Sequence, residues 1–209
     1  MCKSLNSLEV VNRLAAKIAP GRPPAYYEAH ILKALELIGS EIGIGRHKLS
    51  KELGLGEGTI RTLVRRLRKE GLVKASRRGM TLTKAGIDVL SEFGSLIEAT
   101  QLPEMSLTVG PQNYAVLVRG AAELVKLGVE QRDAALLAGA KGASTLLYDG
   151  ECLHMPGLKL DIVDPNSEFL LERLNPEPGD VIIIGTGDLL LSAEIGAKSA
   201  ALKLLKERG

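Results

Sequence analysis

The sequence predicts a two-domain chain of mixed class, α+β / α/β, with most of its helices in the first half. Three observations support this prediction: helical spacing of apolar residues in the first half, short strand signals between turn residues in the second, and a change of charge between the halves. Residues 1–100 hold 17 Lys and Arg against 10 Asp and Glu, whereas residues 101–209 hold 10 against 15. This asymmetry predicts a first half that faces nucleic acid and a second half with another task.

Composition excludes several classes of protein. The chain has 209 residues, of which 45% are hydrophobic and 25% charged, as is usual for globular proteins. No apolar run approaches the eighteen or so residues of a membrane span, and the first residues lack the apolar core of a secretory signal. Two cysteines, Cys2 and Cys152, are too few for a disulfide framework. We therefore expect a soluble, cytoplasmic protein.

Apolar residues at helical spacing predict two helices before residue 40, over residues 7–19 and 25–38. Asn6 is placed to cap the first helix, with Glu9 at its third position. Pro24 suits the first turn of the second helix.

The following segment combines a short helix, a glycine-rich turn and a longer helix that carries apolar residues at steps of three and four. Two short strands and another helix come next. In order, we predict a helix at 46–53, a turn at 54–58, a helix at 58–70, strands at 72–75 and 80–83 around a hairpin tip at 76–79, and a helix at 84–99. The order helix, helix, turn, helix, two-stranded wing, helix is that of a winged helix-turn-helix.

Residues 47–86, HKLSKELGLGEGTIRTLVRRLRKEGLVKASRRGMTLTKAG, resemble the winged-helix family, and the resemblance extends more loosely back to residue 25. The chain as a whole resembles archaeal transcriptional regulators that join this module to a C-terminal domain of unknown function. The resemblance implies binding to double-stranded DNA, with the second helix of the helix-turn-helix in the major groove.

Charge within residues 46–78 supports a DNA interface, because 11 basic residues accompany only 3 acidic ones. The N-terminal residues of a recognition helix lie deepest in the groove, so base contacts are expected there and phosphate contacts further along and at the wing tip. We expect base contacts from Glu57, Thr59, Arg61, Thr62 and Arg65, and phosphate contacts from Arg66, Arg68, Lys69, Arg77 and Arg78, with Lys48 completing the DNA-binding set. The alternative is a protein-interaction module, which gives no reason for cations on these two elements.

Thr100, Pro103, Gly110 and Pro111 predict a linker over residues 100–112, and hence domains at 1–99 and 106–209, the second a smaller mixed α/β domain. Asp149-Gly150 predicts a type I′ hairpin turn. The expected strands are 114–118, 144–148, 151–155 and 181–184, and the expected helices are 121–127 with 130–138, 167–174 and 188–206.

Two segments of the second domain are candidate ligand sites. Gly185, Thr186, Gly187 and Asp188 fall between a strand and a helix start, where free N–H groups hold anions, although Asp188 also suits an ordinary N-cap. Arg132, Lys141 and Thr145 surround a segment rich in Ala and Gly, which fits either a ligand or close helix packing. Cys152 and His154 are too few for a zinc site, and no catalytic residues or cofactor are predicted.

These patterns predict a transcriptional regulator, not an enzyme, that forms a homodimer and responds to a small-molecule effector. The apolar stripes of 7–19 and 84–99 are available either to close a two-fold dimer or to cover the C-terminal sheet. One alternative is a nucleotide- or phosphate-binding enzyme whose winged helix is a regulatory or docking module. Another is an architectural component whose winged helix contacts protein.

Overall fold

A computed structural model describes residues 7–16, 24–41, 43–158, 162 and 166–208. The chain divides into two compact units, residues 1–94 and 95–209. The first carries the winged helix-turn-helix and the second an antiparallel sheet with helices, so the predicted α+β class is confirmed. The second unit is the longer of the two, contrary to the prediction of a smaller domain.

The first unit contains the helices and the wing in the predicted order. Its elements are α1 (Ser7–Ala15), α2 (Glu28–Ser40), α3 (Arg46–Leu53), α4 (Glu57–Lys69), β1 (Val73–Ser76), β2 (Gly79–Leu82) and α5 (Lys84–Leu96). Helix α2 begins three residues later than predicted, and Pro24 lies outside it. The predicted cap Asn6 and the predicted helix end at 17–19 lie outside the described residues.

Helix α1 is part of the core of the first unit. Val10, Val11 and Leu14 are buried, and α1 packs against α2 and α4. Its first turn is held by Glu92 of α5, whose carboxylate accepts hydrogen bonds from the main-chain N–H and the hydroxyl of Ser7, the latter at 2.6 Å. The apolar side of α1 is therefore buried within its own unit, and it is not the free surface that the sequence suggested.

The second unit is a five-stranded antiparallel sheet in the order β3-β4-β7-β5-β6. The elements are β3 (Ile97–Leu102), β4 (Gln112–Val118), α6 (Val129–Leu137), β5 (Gly142–Tyr148), β6 (Leu153–His154), α7 (Ser167–Leu174), β7 (Val181–Gly187) and α8 (Leu190–Leu205), with short 3₁₀ turns at Ala122–Leu124 and Lys206–Arg208. Helix α7 has the predicted bounds.

Helices cover both faces of this sheet. Leu170 and Leu174 of α7 share a buried cluster with Leu146 and Ile184 of the sheet. The next residue of β7, Gly185, meets α8, so α8 lies on the opposite face because successive strand residues point to opposite sides.

Residues 97–102 form strand β3 and not the predicted end of a helix followed by a linker. Ile97 and Leu102 are buried, and the strand pairs with β4 along its whole length, from Ile97 opposite Val118 to Leu102 opposite Asn113. Pairing and burial of both ends outweigh the helical spacing that placed Ile97 in a helix ending at 99.

The predicted hairpin at Asp149-Gly150 exists, but its two-residue turn is wrong. Tyr148 pairs with Leu153, so the loop has four residues, 149–152. Asp149 Oδ1 accepts hydrogen bonds from the main-chain N–H groups of Glu151 and Cys152, at 2.9 and 2.8 Å. These two bonds lower the pKa of the Asp149 carboxyl, and they close the longer loop instead of a type I′ turn.

Candidate nucleic-acid interface

Helix α4 turns one face into the core and the other to solvent. Ile60, Leu63 and Leu67 are fully buried. On the opposite side Arg61, Arg65 and Arg68, which recur at helical spacing, are exposed. The buried face fixes the helix while the three guanidinium groups point outward together, as the sequence predicted.

A groove of about 480 Å³ runs between α4 and the wing, which we define as β1, β2 and their loop. Its basic side chains are Arg46, Arg68, Arg77 and Arg78. Arg77 and Arg78 form the two-residue loop between the paired Ser76 and Gly79.

The wing is held against the segment before α3. The N–H of Met80 donates to the carbonyl of Ile44 across 2.9 Å, and Gly79 adopts a φ of +112°. A Cβ on Gly79 would collide with the main chain of Gly43. The close approach of Gly79 to Gly43 fixes the arginine loop relative to α3 and α4. The fold of the first unit therefore maintains the shape of the groove.

Two further hollows adjoin α4 and are also basic. One of about 460 Å³ is lined by residues that include Arg65, Lys69 and Lys74, and another of about 360 Å³ by residues that include Arg46 and Arg61. With the groove they make one basic surface, formed by Arg46, Arg61, Arg65, Arg68, Lys69, Lys74, Arg77 and Arg78.

The DNA-binding set predicted from the sequence did not include Arg46, His47 and Lys74, which line the groove or the hollows. All three lie within the basic segment 46–78, which was the available signal. What the sequence lacked was the placement of the start of α3 and of strand β1 beside α4, because that depends on tertiary packing.

Arg66, expected to contact phosphate, faces α1 instead. Its Nη1 donates to the carbonyl oxygens of Leu14 and Ala16, at 2.7 and 3.0 Å, and its guanidinium lies 5.9 Å from the centre of the Tyr26 ring. The carbonyls at the end of α1 lack helical partners and attract a cation, which explains this orientation. Arg66 is therefore a structural residue of the first unit.

An ion pair also ties α1 to the end of α4. Arg13 Nη2 lies 2.8 Å from Glu70 Oε2, and this hydrogen bond lowers the pKa of the Glu70 carboxyl.

Three other predicted DNA-binding residues have neighbours in the protein. Lys48 lies 2.7 Å from Glu41 Oε1, an ion pair that raises the pKa of the lysine. The Thr62 hydroxyl donates to the carbonyl of Gly58 at 3.2 Å. Glu57 is exposed and lies 3.6 Å from His47. Thr59 is half-buried.

The predicted anion-binding segment at 185–188 is not a free loop, because its first three residues belong to strand β7. Gly185, Thr186 and Gly187 continue strand β7 and pair with β4, and the first two also pair with β5. A Cβ on Gly185 would collide with the main chain of Ala193 in α8, so this glycine permits close packing of the helix on the strand. Leu189 is the N-cap of α8, so the predicted capping role of Asp188 is also wrong.

The other predicted ligand residues separate into two places. Lys141 pairs with Asp188 across 2.6 Å at an exposed position. Arg132 and Thr145 lie together on a cavity of about 270 Å³ whose lining also includes the apolar Leu127, Met155 and Leu158. The Thr145 hydroxyl is buried and has no hydrogen-bond partner among the residues that the structure describes.

Within the described ranges, no helix is long and apolar enough to cross a membrane. Over the same ranges, no group of three or more His, Cys, Asp and Glu is arranged to hold a metal ion.

The fold and its basic surface define a DNA-binding module of the winged helix-turn-helix class, joined to an antiparallel α+β domain. Residues 28–97 match the family model of the CggR N-terminal DNA binding domain, and residues 109–204 match a domain of unknown function, DUF4443. The first matched segment is thus similar to a DNA-binding domain and the second to a domain of unknown function, in the order that the resemblance in the sequence implied.

Among solved structures, the chain is similar to the hypothetical protein PH0730 from Pyrococcus horikoshii OT3. The two are 26% identical with a TM-score of 0.70, over 87% of this chain and 94% of the other. No curated protein matches the sequence.

Proposed function

We propose that this protein is a transcriptional regulator that binds duplex DNA through α4 and the wing, while its C-terminal unit senses a small ligand or forms a dimer. One observation carries the proposal: the eight cations of the basic surface cluster on α4, the wing and the start of α3. Among the described residues, none of their side chains makes a hydrogen bond or ion pair. Their charge is therefore available to a polyanion.

Duplex DNA fits this surface better than another partner. The major groove admits one α-helix, and α4 presents Arg61 and Arg65 on its exposed side. Arg77 and Arg78 extend from the wing, which in this arrangement lies over the adjacent backbone. Phosphate contacts from these cations release counterions, so the affinity falls steeply with salt.

The test is binding of the full-length protein to random-sequence duplex DNA at several salt concentrations. The wild type is expected to show a log–log slope that indicates several released counterions, and Arg77→Ala to reduce the slope by about one. Arg65→Ala is expected to weaken binding in the same assay. Lys126→Ala is the matched control, since Lys126 is an exposed cation of the second unit. A flat slope would reject the proposal and favour a winged helix that contacts protein.

The proposal also includes a small-molecule effector and a two-fold dimer. The cavity beside Arg132 and Thr145 supports a small effector, because it joins a cation and a buried hydroxyl to an apolar wall. A two-fold dimer would present two recognition helices to paired half-sites, and Ile87 of α5, 56% exposed, is available for it. Light scattering of the purified protein tests the dimer, and a molar mass equal to that of one chain would reject it.

As a regulator of this kind, the protein would catalyse no reaction and would act on DNA in the cytoplasm. The enzyme alternative depended on a phosphate site at 185–188, and residues 185–187 pair with β4 while Gly185 also packs against α8. If a nucleotide raised the unfolding temperature of the protein and was then converted to product, the enzyme alternative would be favoured again.

A further inference from the structure

Three glycines at or near the starts of α3 and α4 have open space around them. An added Cβ on Gly45, Gly56 or Gly58 would meet no atom within 4 Å. Gly56, the N-cap of α4, has a φ of −60°, which any residue adopts, and Gly58 lies inside the helix. Gly45 and Gly56 occupy N-cap positions, where glycine is common. Gly58 has no such role and weakens a helix, whereas a helix end that approaches another molecule closely needs a small residue there.

Glu57 stands between these glycines as an acid within a basic surface. Its carboxylate is 72% exposed and shares a hollow with Arg46, His47 and Arg61. An acid in the first turn interacts favourably with the helix dipole, by a few tenths of a kcal/mol. On a surface that binds phosphates, however, the same carboxylate repels the ligand, so a contact that needs an acceptor accounts for it better.

The chemistry of base edges identifies that contact. A carboxylate only accepts hydrogen bonds, and cytosine presents its N4 amino group as a donor in the major groove. Adenine places the N7 acceptor beside its amino group, which disfavours a carboxylate. The guanidinium of Arg61 matches the O6 and N7 acceptors of guanine.

We propose that Glu57 reads a cytosine and Arg61 reads a guanine in the major groove. This inference rests on the proposed function and adds the identity of two bases to it. The two residues are four apart in α4, which separates them by about 6 Å along the helix. Base pairs are spaced by about 3.4 Å. The two G·C pairs therefore lie one or two steps apart in each bound site.

The experiment selects bound duplexes from a library with a randomised central stretch, with full-length protein, and sequences them. The wild type is expected to enrich the two G·C pairs, with a penalty of about 5-fold to 150-fold for a wrong base. Glu57→Gln is expected to change the preference at one position from cytosine to adenine, because glutamine pairs with adenine N6 and N7. Arg61→Gln is expected to change the other position from guanine to adenine.

Lys69→Ala is the control, since it removes a cation of the same helix and is expected to lower affinity without altering the selected bases. A wild type that binds DNA without base preference, or a Glu57→Gln protein that selects the wild-type site, would overturn the assignment while leaving the regulator proposal intact. Absence of salt-sensitive DNA binding by the wild type would reject both.

Discussion

Arg66 in α4 donates a hydrogen bond to the main-chain carbonyl of Leu14 across 2.7 Å and so ties α4 to the end of α1. Its neighbour Arg65 is exposed and makes no hydrogen bond or ion pair among the described residues. The two adjacent arginines thus differ in environment, which predicts different tasks: Arg66 binds within the protein, and Arg65 is available to the proposed DNA ligand.

Substitution of the two arginines by alanine should separate these tasks. Arg66→Ala removes hydrogen bonds from a charged donor to two carbonyls and should lower the free energy of unfolding by about 2 kcal/mol. Arg65→Ala should change it by less than about 0.5 kcal/mol but weaken DNA binding. Denaturant unfolding and salt-dependent DNA binding measure the two effects. If the Arg66→Ala protein is as stable as the wild type and its DNA binding depends less steeply on salt, Arg66 contacts phosphate after all.

His30 should make the first unit sensitive to acid. It is buried, its Nδ1 accepts the N–H of Tyr27 at 3.2 Å, and burial lowers its pKa from 6.5 to about 4. The unfolded chain therefore binds a proton more readily than the folded one, so stability is lost as the pH falls from about 6.5 through 4. The loss attributable to His30 between pH 7 and pH 4 is about 3 kcal/mol.

Variants isolate this contribution from other titrating groups. His30→Gln retains an acceptor for the Tyr27 N–H without a titrating ring, so its stability should fall by about 3 kcal/mol less than that of the wild type over this range. His47→Gln, which changes a side chain that is 90% exposed, should follow the wild type. Chemical unfolding at several pH values gives the comparison, and parallel curves for His30→Gln and wild type would show that His30 does not titrate in this way.

Asp180 should stabilise the second unit far more than Asp188. The buried Asp180 carboxylate accepts hydrogen bonds from the N–H groups of Gly120 and Glu177, at 2.7 and 2.9 Å, and from Arg119 at 3.0 Å. Asp180→Ala leaves these donors without their acceptor and should cost about 2–4 kcal/mol. Asp188→Ala breaks only the exposed pair with Lys141 and should cost less than about 1 kcal/mol. Equal losses in denaturant unfolding would contradict this ranking.

Gly185→Ala tests whether this glycine serves the packing of α8. The new Cβ would meet main-chain atoms of Ala193 and Ala197, which have little room to move, so the free energy of unfolding should fall by about 2 kcal/mol or more. Gly94→Ala is the control, because a Cβ there meets nothing within 4 Å and alanine favours helix by about 1 kcal/mol. A Gly185→Ala protein as stable as the wild type would remove the packing explanation.

Local patterns in the sequence were sufficient for the first unit. Apolar spacing placed α3 at its observed bounds and predicted the exposed arginines of α4, because one helix face alone decides which residues are buried. The same patterns did not distinguish Arg66 from Arg65, since the carbonyls that Arg66 binds lie about fifty residues away, at and just after the last turn of α1.

In the second unit, long-range pairing outweighed local signals. Gly185-Thr186-Gly187 has the composition of a turn, yet strand β4 extends the pairing to Gly187 and strand β5, on the other side, extends it to Thr186. Ile97 continues a helical stripe in the sequence but lies in β3, because β4 offers it a partner. Which strand lies beside which is set by the packing of the whole sheet, and no local spacing encodes it.

Thr145→Val should stabilise the protein, because the Thr145 hydroxyl is buried without a hydrogen-bond partner in the described part of the chain. Valine has nearly the same shape and removes the unsatisfied group, so the free energy of unfolding should rise by about 1 kcal/mol. Thr186→Val in the neighbouring strand β7 is the control. The Thr186 hydroxyl donates to the carbonyl of Gly110 at 3.2 Å, so its loss should destabilise the protein by about 1 kcal/mol. Denaturant unfolding of both variants gives the two signs, and a destabilised Thr145→Val protein would show that the hydroxyl is satisfied by a group bound in the cavity beside Arg132.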